Sequence, residues 1–266
     1  MFIIYHTRAY ARKLARDLRV TSYFPNQNVL SLRKQNMSVI VNWGCTHLQL
    51  PPKTPVGEKR ILNADVSVCT SKIATFDRLR AASLAIPCIV LDPAEIVDGL
   101  PFYLRGKYLG RTDRLTGGRG ITIYEKGTLP ATGVRHDFFS QVVSKAYEVR
   151  LHVAGTTVIC EQFKFIPEGT GTLIRNYDNG ARFSAIPLEA RIDPLLAQAA
   201  RTLAIQSLAA CALDFGALDM ALSRRGNWVV FEINSAPGLS VREDTDDHAM
   251  PCTYDAYKTY FQSFLV

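Results

Sequence analysis

The chain lacks what would tie it to a membrane, a disulfide framework or a repeat array. No stretch approaches the ~18 consecutive apolar residues of a bilayer span. The opening Met1-Phe-Ile-Ile-Tyr-His-Thr7 is short for a secretory leader and has no basic start. The six cysteines, Cys45, Cys69, Cys88, Cys160, Cys211 and Cys252, are scattered, with no Cys-x-x-Cys pair and no histidine at zinc-finger spacing, so reduced, structural thiols are expected. There is no internal repeat and no low-complexity tract, and no serine or cysteine has the glycine-flanked setting of an activated nucleophile. A cytoplasmic globular protein with no membrane partner is the expectation.

What is present fits that class. The 266 residues are 47% hydrophobic and 21% charged, enough for two modest domains or one large one. The formal charge of +7 and a pI near 9.1 favour an anionic partner, whether nucleotide phosphate, acidic polypeptide or nucleic acid. Charge alone does not choose among these.

Met1 to Tyr5 reads as a strand, Thr7 as an N-cap, and Tyr10, Leu14 and Leu18 as one helix face. Ser38 to Gly44 is a nearly all-apolar strand, of the kind covered on both faces. A helix near Ser71 to Leu84 and a strand over Ile86 to Leu91 complete an α/β unit of about 90 residues, ended by Asp92-Pro93. Beyond it, strands are expected over Phe102 to Tyr108, Gly120 to Tyr124, Tyr147 to Ala154, Thr157 to Phe165 and Ala181 to Ile186, largely antiparallel. Asp193 as N-cap and Pro194 at N1 open one strong helix through Ala210, so this second part is α+β.

The chemistry gathers in the carboxy-terminal third. Trp228 to Leu239 is an apolar strand that places Glu232 and Asn234 two positions apart, hence on one side. Asp219 lies on the strand before it, joined by the turn Ser223-Arg-Arg-Gly-Asn227. Solvent-facing polar residues are the plain alternative, but a carboxylate on a buried strand must be paired, protonated or bound to metal. Asp219, Glu232 and Asn234 together suit a hard cation such as Mg²⁺.

Leu115-Thr-Gly-Gly-Arg-Gly-Ile121 has the glycines of a loop that can bring backbone N–H groups to phosphate, though a hairpin would look the same. Arg105 and Lys107 alternate onto one face before it, and Arg111, Arg114 and Arg119 lie within it; Arg105 is preferred over the loop arginines as a phosphate contact. Lys72 sits in a first helical turn, where the dipole disfavours a cation. A solvated lysine and a functional one are both open. Arg150 shares a face with Glu148 and either pairs with it or meets an anionic substrate. His47, His136 and His152 read as structural.

Taken in order, Ser71-Lys72, Arg105, Gly117-Gly-Arg-Gly120, Glu148-Val-Arg150, Arg175-Asn176, Phe215-Gly-Ala-Leu-Asp219 and Glu232-Ile-Asn-Ser-Ala-Pro-Gly238 resemble the ATP-grasp superfamily. The likeness spans about residues 60–266 and is nearest the compact ligases related to ribosomal-protein glutamate ligases. It implies an ATP-grasp fold, with a small pre-ATP-grasp α/β domain over about residues 1–95. The ATP-grasp domain would cover about 96–266, with a glycine-loop subdomain over about 96–143 and a metal-binding subdomain over about 144–266.

The resemblance further implies Mg²⁺ (or Mn²⁺) on Asp219, Glu232 and Asn234. ATP phosphates would meet Lys72, Arg105, Asn176 and the loop Gly117, Gly118, Arg119 and Gly120, and adenine the backbone around Gln141, Val142 and Val143. Arg175, Arg150 and Lys164 would stabilise developing charge, though Asn176-Tyr-Asp-Asn-Gly180 also reads as a plain turn.

The implied activity is an ATP-dependent carboxylate–amine ligase working through an acylphosphate and releasing ADP and phosphate. Donor carboxylate and acceptor amine would belong to amino acids, peptides or proteins. An ATP-grasp kinase is an alternative, as is a non-catalytic module binding nucleotide or nucleic acid through Tyr103-Leu-Arg-Gly-Lys-Tyr108. The Arg111-to-Thr116 insertion and the acidic run Arg242-Glu-Asp-Thr-Asp-Asp-His248 depart from the family pattern; the latter is either a solvated loop or an attractor for an amine.

Overall fold

The computed structural model describes residues 2–6, 9–23, 39–46, 60–92, 95, 106–115, 119–125, 127–128, 130–131, 133–166, 180–240 and 253–265. The first unit comprises β1 (Phe2–His6), α1 (Ala9–Asp17), β2 (Thr21–Tyr23), β3 (Val39–Trp43) and β4 (Arg60–Leu62). Its strands form a parallel sheet in the order β2-β1-β3-β4. All five residues of β3 are buried, as a near-continuous apolar run requires when both faces are covered. Leu14 of α1 and Leu18 just beyond it enter the core, whereas Tyr10 on the expected apolar face is exposed. Thr7 lies outside the described residues.

Next come α2 (Lys72–Ala81), β5 (Ile89–Val90), β6 (Tyr108–Arg111), β7 (Ile121–Tyr124) and β8 (Phe138–Gln141). Their four strands make an antiparallel sheet in the order β5-β8-β6-β7. Two expectations change here. The strand read over Ile86 to Leu91 does not extend the first sheet; it shortens to β5 and pairs with β8, because Val90 is buried with Tyr108, Tyr124 and Phe139. The strand read over Phe102 to Tyr108 begins only at Tyr108 and runs to Arg111, so Lys107 precedes it and Arg111 ends it. Positions 102–105 lie outside the described residues.

The third sheet is built from β9 (Lys145–Ala154), β10 (Thr157–Phe165), β11 (Arg182–Ser184), β12 (Phe215–Ser223) and β13 (Trp228–Asn234), in the antiparallel order β11-β10-β9-β12-β13. Between β11 and β12 runs α3 (Pro194–Ala210), whose N-cap Asp193 accepts from the Leu195 and Leu196 N–H groups. One sheet face, with Val149, Leu151, Leu218, Met220, Val230 and Ile233, packs on the Ala197, Ala200 and Ala204 stripe of α3. Methyl-sized side chains let helix and sheet approach closely, and burial of each large aliphatic contributes about 1.5–3 kcal/mol.

The opposite face is divided along its length. At the Ala154 and Phe215 end it is covered by α4 (Thr253–Gln262) and the first unit, through Trp43, Tyr257 and Phe261. A hydrogen-bonded latch reinforces that junction. Asn63, in a left-handed conformation at φ 55° that asparagine tolerates, donates Nδ2–H to the Phe215 carbonyl at 2.9 Å. Its Oδ1 accepts the N–H groups of Asp214 and Phe215 at 2.7 and 3.1 Å. Asn42 reaches the Asn63 carbonyl at 3.0 Å. The other end of this face is left for charged side chains.

Candidate active site

The β12–β13 ladder passes from Met220↔Val230 to Asp219↔Glu232, so Phe231 is an extra residue, a bulge on β13. Trp228 and Val230 face the α3 side before it and Ile233 does so after it. Glu232 and Asn234 are thereby turned to the opposite face, where Glu232 lies directly across from Asp219. Asp219 in turn faces Arg150 on β9, and Arg150 faces Gln162 on β10. One row across four strands thus reads Glu232, Asp219, Arg150, Gln162.

Arg150 grips Asp219 with two parallel bonds, Nε to Oδ1 at 2.7 Å and an amino group to Oδ2 at 2.9 Å, the strong geometry for this pair. Lys164 stands 3.7 Å from the same carboxylate and 2.9 Å from Glu148, which Lys145 also meets at 2.5 Å. The possible pairing of Arg150 with Glu148 is therefore not made: Glu148 is taken by two lysines, and Asp219 sits squarely opposite the arginine. Burial pushes the Asp219 carboxyl up, but the charges of Arg150 and Lys164 outweigh it and hold it well below the usual range. Burial likewise opposes charge on Arg150 and Lys164, and the carboxylates overcome it and raise both. The ring of Phe183, a neighbour of both cations, lies 4.6 Å from the Arg150 guanidinium and 5.9 Å from the Lys164 ammonium.

From the other side, α2 brings Lys72. Ser71 caps the helix by accepting the Ala74 N–H at 3.0 Å, which fixes Lys72 at its first position. The ammonium is 3.8 Å from Glu232 and donates to the Leu115 carbonyl at 2.6 Å. Lys72 is thus not a solvated lysine; burial lowers its pKa and Glu232 partly restores it.

Arg111 joins the same group, and the sequence had assigned it only to the loop. It ends β6, is largely buried, and its Nε has no partner among the described residues. Burial lowers its pKa and Glu232 opposes the shift. The available signal was its place at the end of a strand directly before the glycine loop, a signal given instead to Arg105.

The loop base is closed by the Thr112 N–H on the Gly120 carbonyl at 3.1 Å, with Gly120 at φ 67°. A Cβ there would stand 2.8 Å from Leu115 and from Thr112, so glycine is required. Arg119 is exposed beside it. Gln141, Val142 and Val143 lead from β8 to β9, between the two sheets, with the Gln141 N–H on the Cys88 carbonyl. Arg105, Gly117, Gly118, Arg175, Asn176, His47 and the acidic run at 242–248 lie outside the described residues. His152 is a core histidine, fully buried against Tyr257 and Gln162, and His136 packs on Tyr124 and Phe139.

Among the described residues no three of His, Cys, Asp and Glu gather as a metal cage. What the site offers is two facing carboxylates and an amide. The buried Asn234 Nδ2 has no partner among the described residues, and a buried amide left unsatisfied calls for a ligand or a water. That Nδ2–H suits a phosphate oxygen or a water, while the oxygens of Asp219, Glu232 and the Asn234 amide are of the kind that fit a hard divalent ion keeping waters and phosphate oxygens in its shell. Around them stand Lys72, Arg111, Lys145, Arg150 and Lys164 against Asp219, Glu232 and Glu148, an excess of positive charge. No described helix is long and apolar enough to cross a membrane.

No protein-family model and no curated protein matches the chain. Solved structures do. The ATP-grasp ligase PsnB complexed with minimal precursor aligns at a TM-score of 0.63 and 14% identity, over 100% of this chain and 99% of that one. A carboxyaminoimidazole ribonucleotide synthase from Aspergillus clavatus complexed with ATP gives 0.59 and 13%, over 88% and 69%. D-alanine–D-alanine ligase from Bacillus anthracis gives 0.59 and 11%, over 89% and 86%. The three sheets, their order and the helix behind the central one make this chain an ATP-grasp fold.

Proposed function

We propose that the protein is an ATP-dependent carboxylate–amine ligase. The observation that carries this reading is the convergence of Lys72, Arg111, Arg150 and Lys164 on the facing Asp219 and Glu232 at the base of the glycine loop. Cations in surplus over carboxylates, in a half-buried setting, suit a polyphosphate and its developing charge.

In this reading Lys72 and Arg111, with Arg105, hold the nucleotide phosphates. Gly117, Gly118, Arg119 and Gly120 lie over them, Asn176 adjoins them, and Gln141 to Val143 meet the adenine. Asp219, Glu232 and Asn234 hold Mg²⁺, which when bound neutralises phosphate charge and orients it. The donor carboxylate attacks the γ-phosphorus and the bond to ADP breaks, giving an acylphosphate. The amine then attacks the acyl carbon, phosphate leaves with the bonding pair, and the amine sheds one proton. Arg150 and Lys164, with Arg175, stabilise the negative charge on the reacting oxygens. Both are already oriented by carboxylates, so little reorganisation is required when charge develops.

The donor and acceptor belong to amino acids, peptides or proteins. The PsnB ligase was captured with a precursor peptide, PsnA2, which supports a peptide substrate here. The small parallel unit packs on the turn after Asn234, where a Cβ on Gly44 would meet that of Ala236 at 2.4 Å, and serves as the accessory domain beside the site. The test is ADP release against mixtures of amino acids and peptides, with hydroxylamine in place of the amine. An acyl-hydroxamate supports the ligase; a stable phosphorylated product replaces it with a kinase; nucleic-acid binding that survives Glu232→Ala replaces both with a binding module.

A further inference from the structure

The segment between β6 and the glycine loop contains a carboxylate that reaches across to the helix carrying Lys72. Asp113 Oδ1 accepts the backbone N–H of Ile73 at 2.9 Å, in the first turn of α2. The Asp113 N–H is held by Asp137 Oδ2 at 2.8 Å, and the Asp137 N–H returns a bond to the Arg111 carbonyl at 2.9 Å. Lys72 donates to the Leu115 carbonyl at 2.6 Å and stands 3.5 Å from that of Asp113. Two cations from different sheets and helices, Lys72 and Arg111, are thus referred to one short turn.

We propose that Asp113 is a positioning residue for nucleotide phosphates: by capping α2 from outside the helix it docks the loop segment onto Lys72 and fixes the spacing of Lys72 and Arg111. This rests on the ligase reading for the nucleotide, and it also explains a conflict within the sequence. A lysine in a first helical turn is disfavoured by the helix dipole. Asp113 supplies, at that same helix end, the negative charge that the local sequence lacks, through its bond to the Ile73 N–H. The ammonium directs its donors at Leu115, Asp113 and Glu232, so its place is set by this turn as much as by its own helix. Asp113 falls in the insertion by which the chain departs from the family pattern, so the clasp belongs to this chain's own residues.

The experiment compares ATP with adenosine, each with Mg²⁺, binding to the full chain and to Asp113→Ala and Asp113→Asn, by calorimetry or by displacement of a fluorescent nucleotide. Losing the capping bond is expected to weaken ATP about five- to tenfold in Asp113→Ala while adenosine changes less than about twofold, because adenine lies away from the turn. Asp113→Asn keeps an oxygen that accepts the Ile73 N–H, and is expected to recover most of the ATP affinity. Trypsin cleavage after the exposed Arg114 should be faster in Asp113→Ala than in wild type, an outcome read without any ligand. ATP affinity unchanged in Asp113→Ala, equal weakening of ATP and adenosine, or no rescue by Asn would each overturn the positioning role and leave the ligase reading standing. Wild-type protein that binds neither ligand would overturn both.

Discussion

At one end of the central sheet both ends of the Asn63 amide are bonded to backbone at the start of β12; at the other, Asp219, Glu232 and Asn234 sit among cations that outnumber carboxylates. Both clusters are polar and well covered. The first is neutral and complete, and its bonds join two parts of the chain. The second has charge to spare and an amide without a partner among the described residues. Satisfied polar groups specify architecture; unsatisfied ones, held in place by rigid strands, await something.

That contrast is sharpest in paired substitutions. Glu232→Gln should lower ATP turnover about 10²–10³-fold, while the melting temperature moves little, because among the described residues its one close ion pair is with Lys72, at a loose 3.8 Å. Parallel turnover and melting assays check this, and a large loss of stability would place Glu232 with the architectural cluster. Asn63→Ala should do the reverse. It leaves two buried N–H groups without an acceptor and puts alanine at positive φ, costing about 3 kcal/mol in urea unfolding, with turnover per folded molecule retained.

Between pH 6 and 5 a smaller effect should come from His152, which lies on the charged face but belongs to the core. Burial, then the nearby Arg150 charge, pulls it down to about 3 from 6.5. The unfolded chain therefore binds the proton first, and stability lost to this residue begins as pH falls below 6.5 and continues to about 3, at about 1.4 kcal/mol per pH unit. His136, also depressed by burial, adds in the same direction. His152→Asn should remove about one proton from the slope between pH 6 and 5 in denaturation curves; an unchanged slope would show that His152 titrates normally. Last, Gly44→Ala should cost about 1–3 kcal/mol, from overpacking against Ala236 and from alanine at a positive φ of 80°, and Ala236→Gly in the same chain should recover only the overpacking part, a double-mutant cycle that reports contact between the first unit and the turn beyond the site.

Much of this was legible in the order of motifs, because alternation on β13 and the cap at Asp193 are local facts. Lys72 was found for the same reason: a cation in a first turn is odd wherever the helix ends up. What was not legible is what depends on distant partners. The three-residue strands β2 and β4 carry too few residues for a period to show. Val90 chose the sheet of Tyr108 and Phe139, not the nearer first sheet, through burial that no window of sequence contains. Arg111 was passed over for Arg105 because the start of β6 is set by its pairing with β7 and β8. Arg150 was offered Glu148, its neighbour in sequence, when the residue across the ladder was Asp219.

The extra residue at Phe231 acts on β13 as a frameshift acts on a message. Counted from Trp228, both Glu232 and Asn234 share the parity of core positions, and an unbroken strand would drive them into the layer of α3. Deleting Phe231 would make Met220↔Val230 and Asp219↔Glu232 consecutive pairs of an unbroken ladder, with Glu232 and Asn234 still on the charged face and Ile233 still in the core. The bulge thus carries the phase of the strand: a β13 straightened with Phe231 still in it would bury two polar groups and expose Ile233.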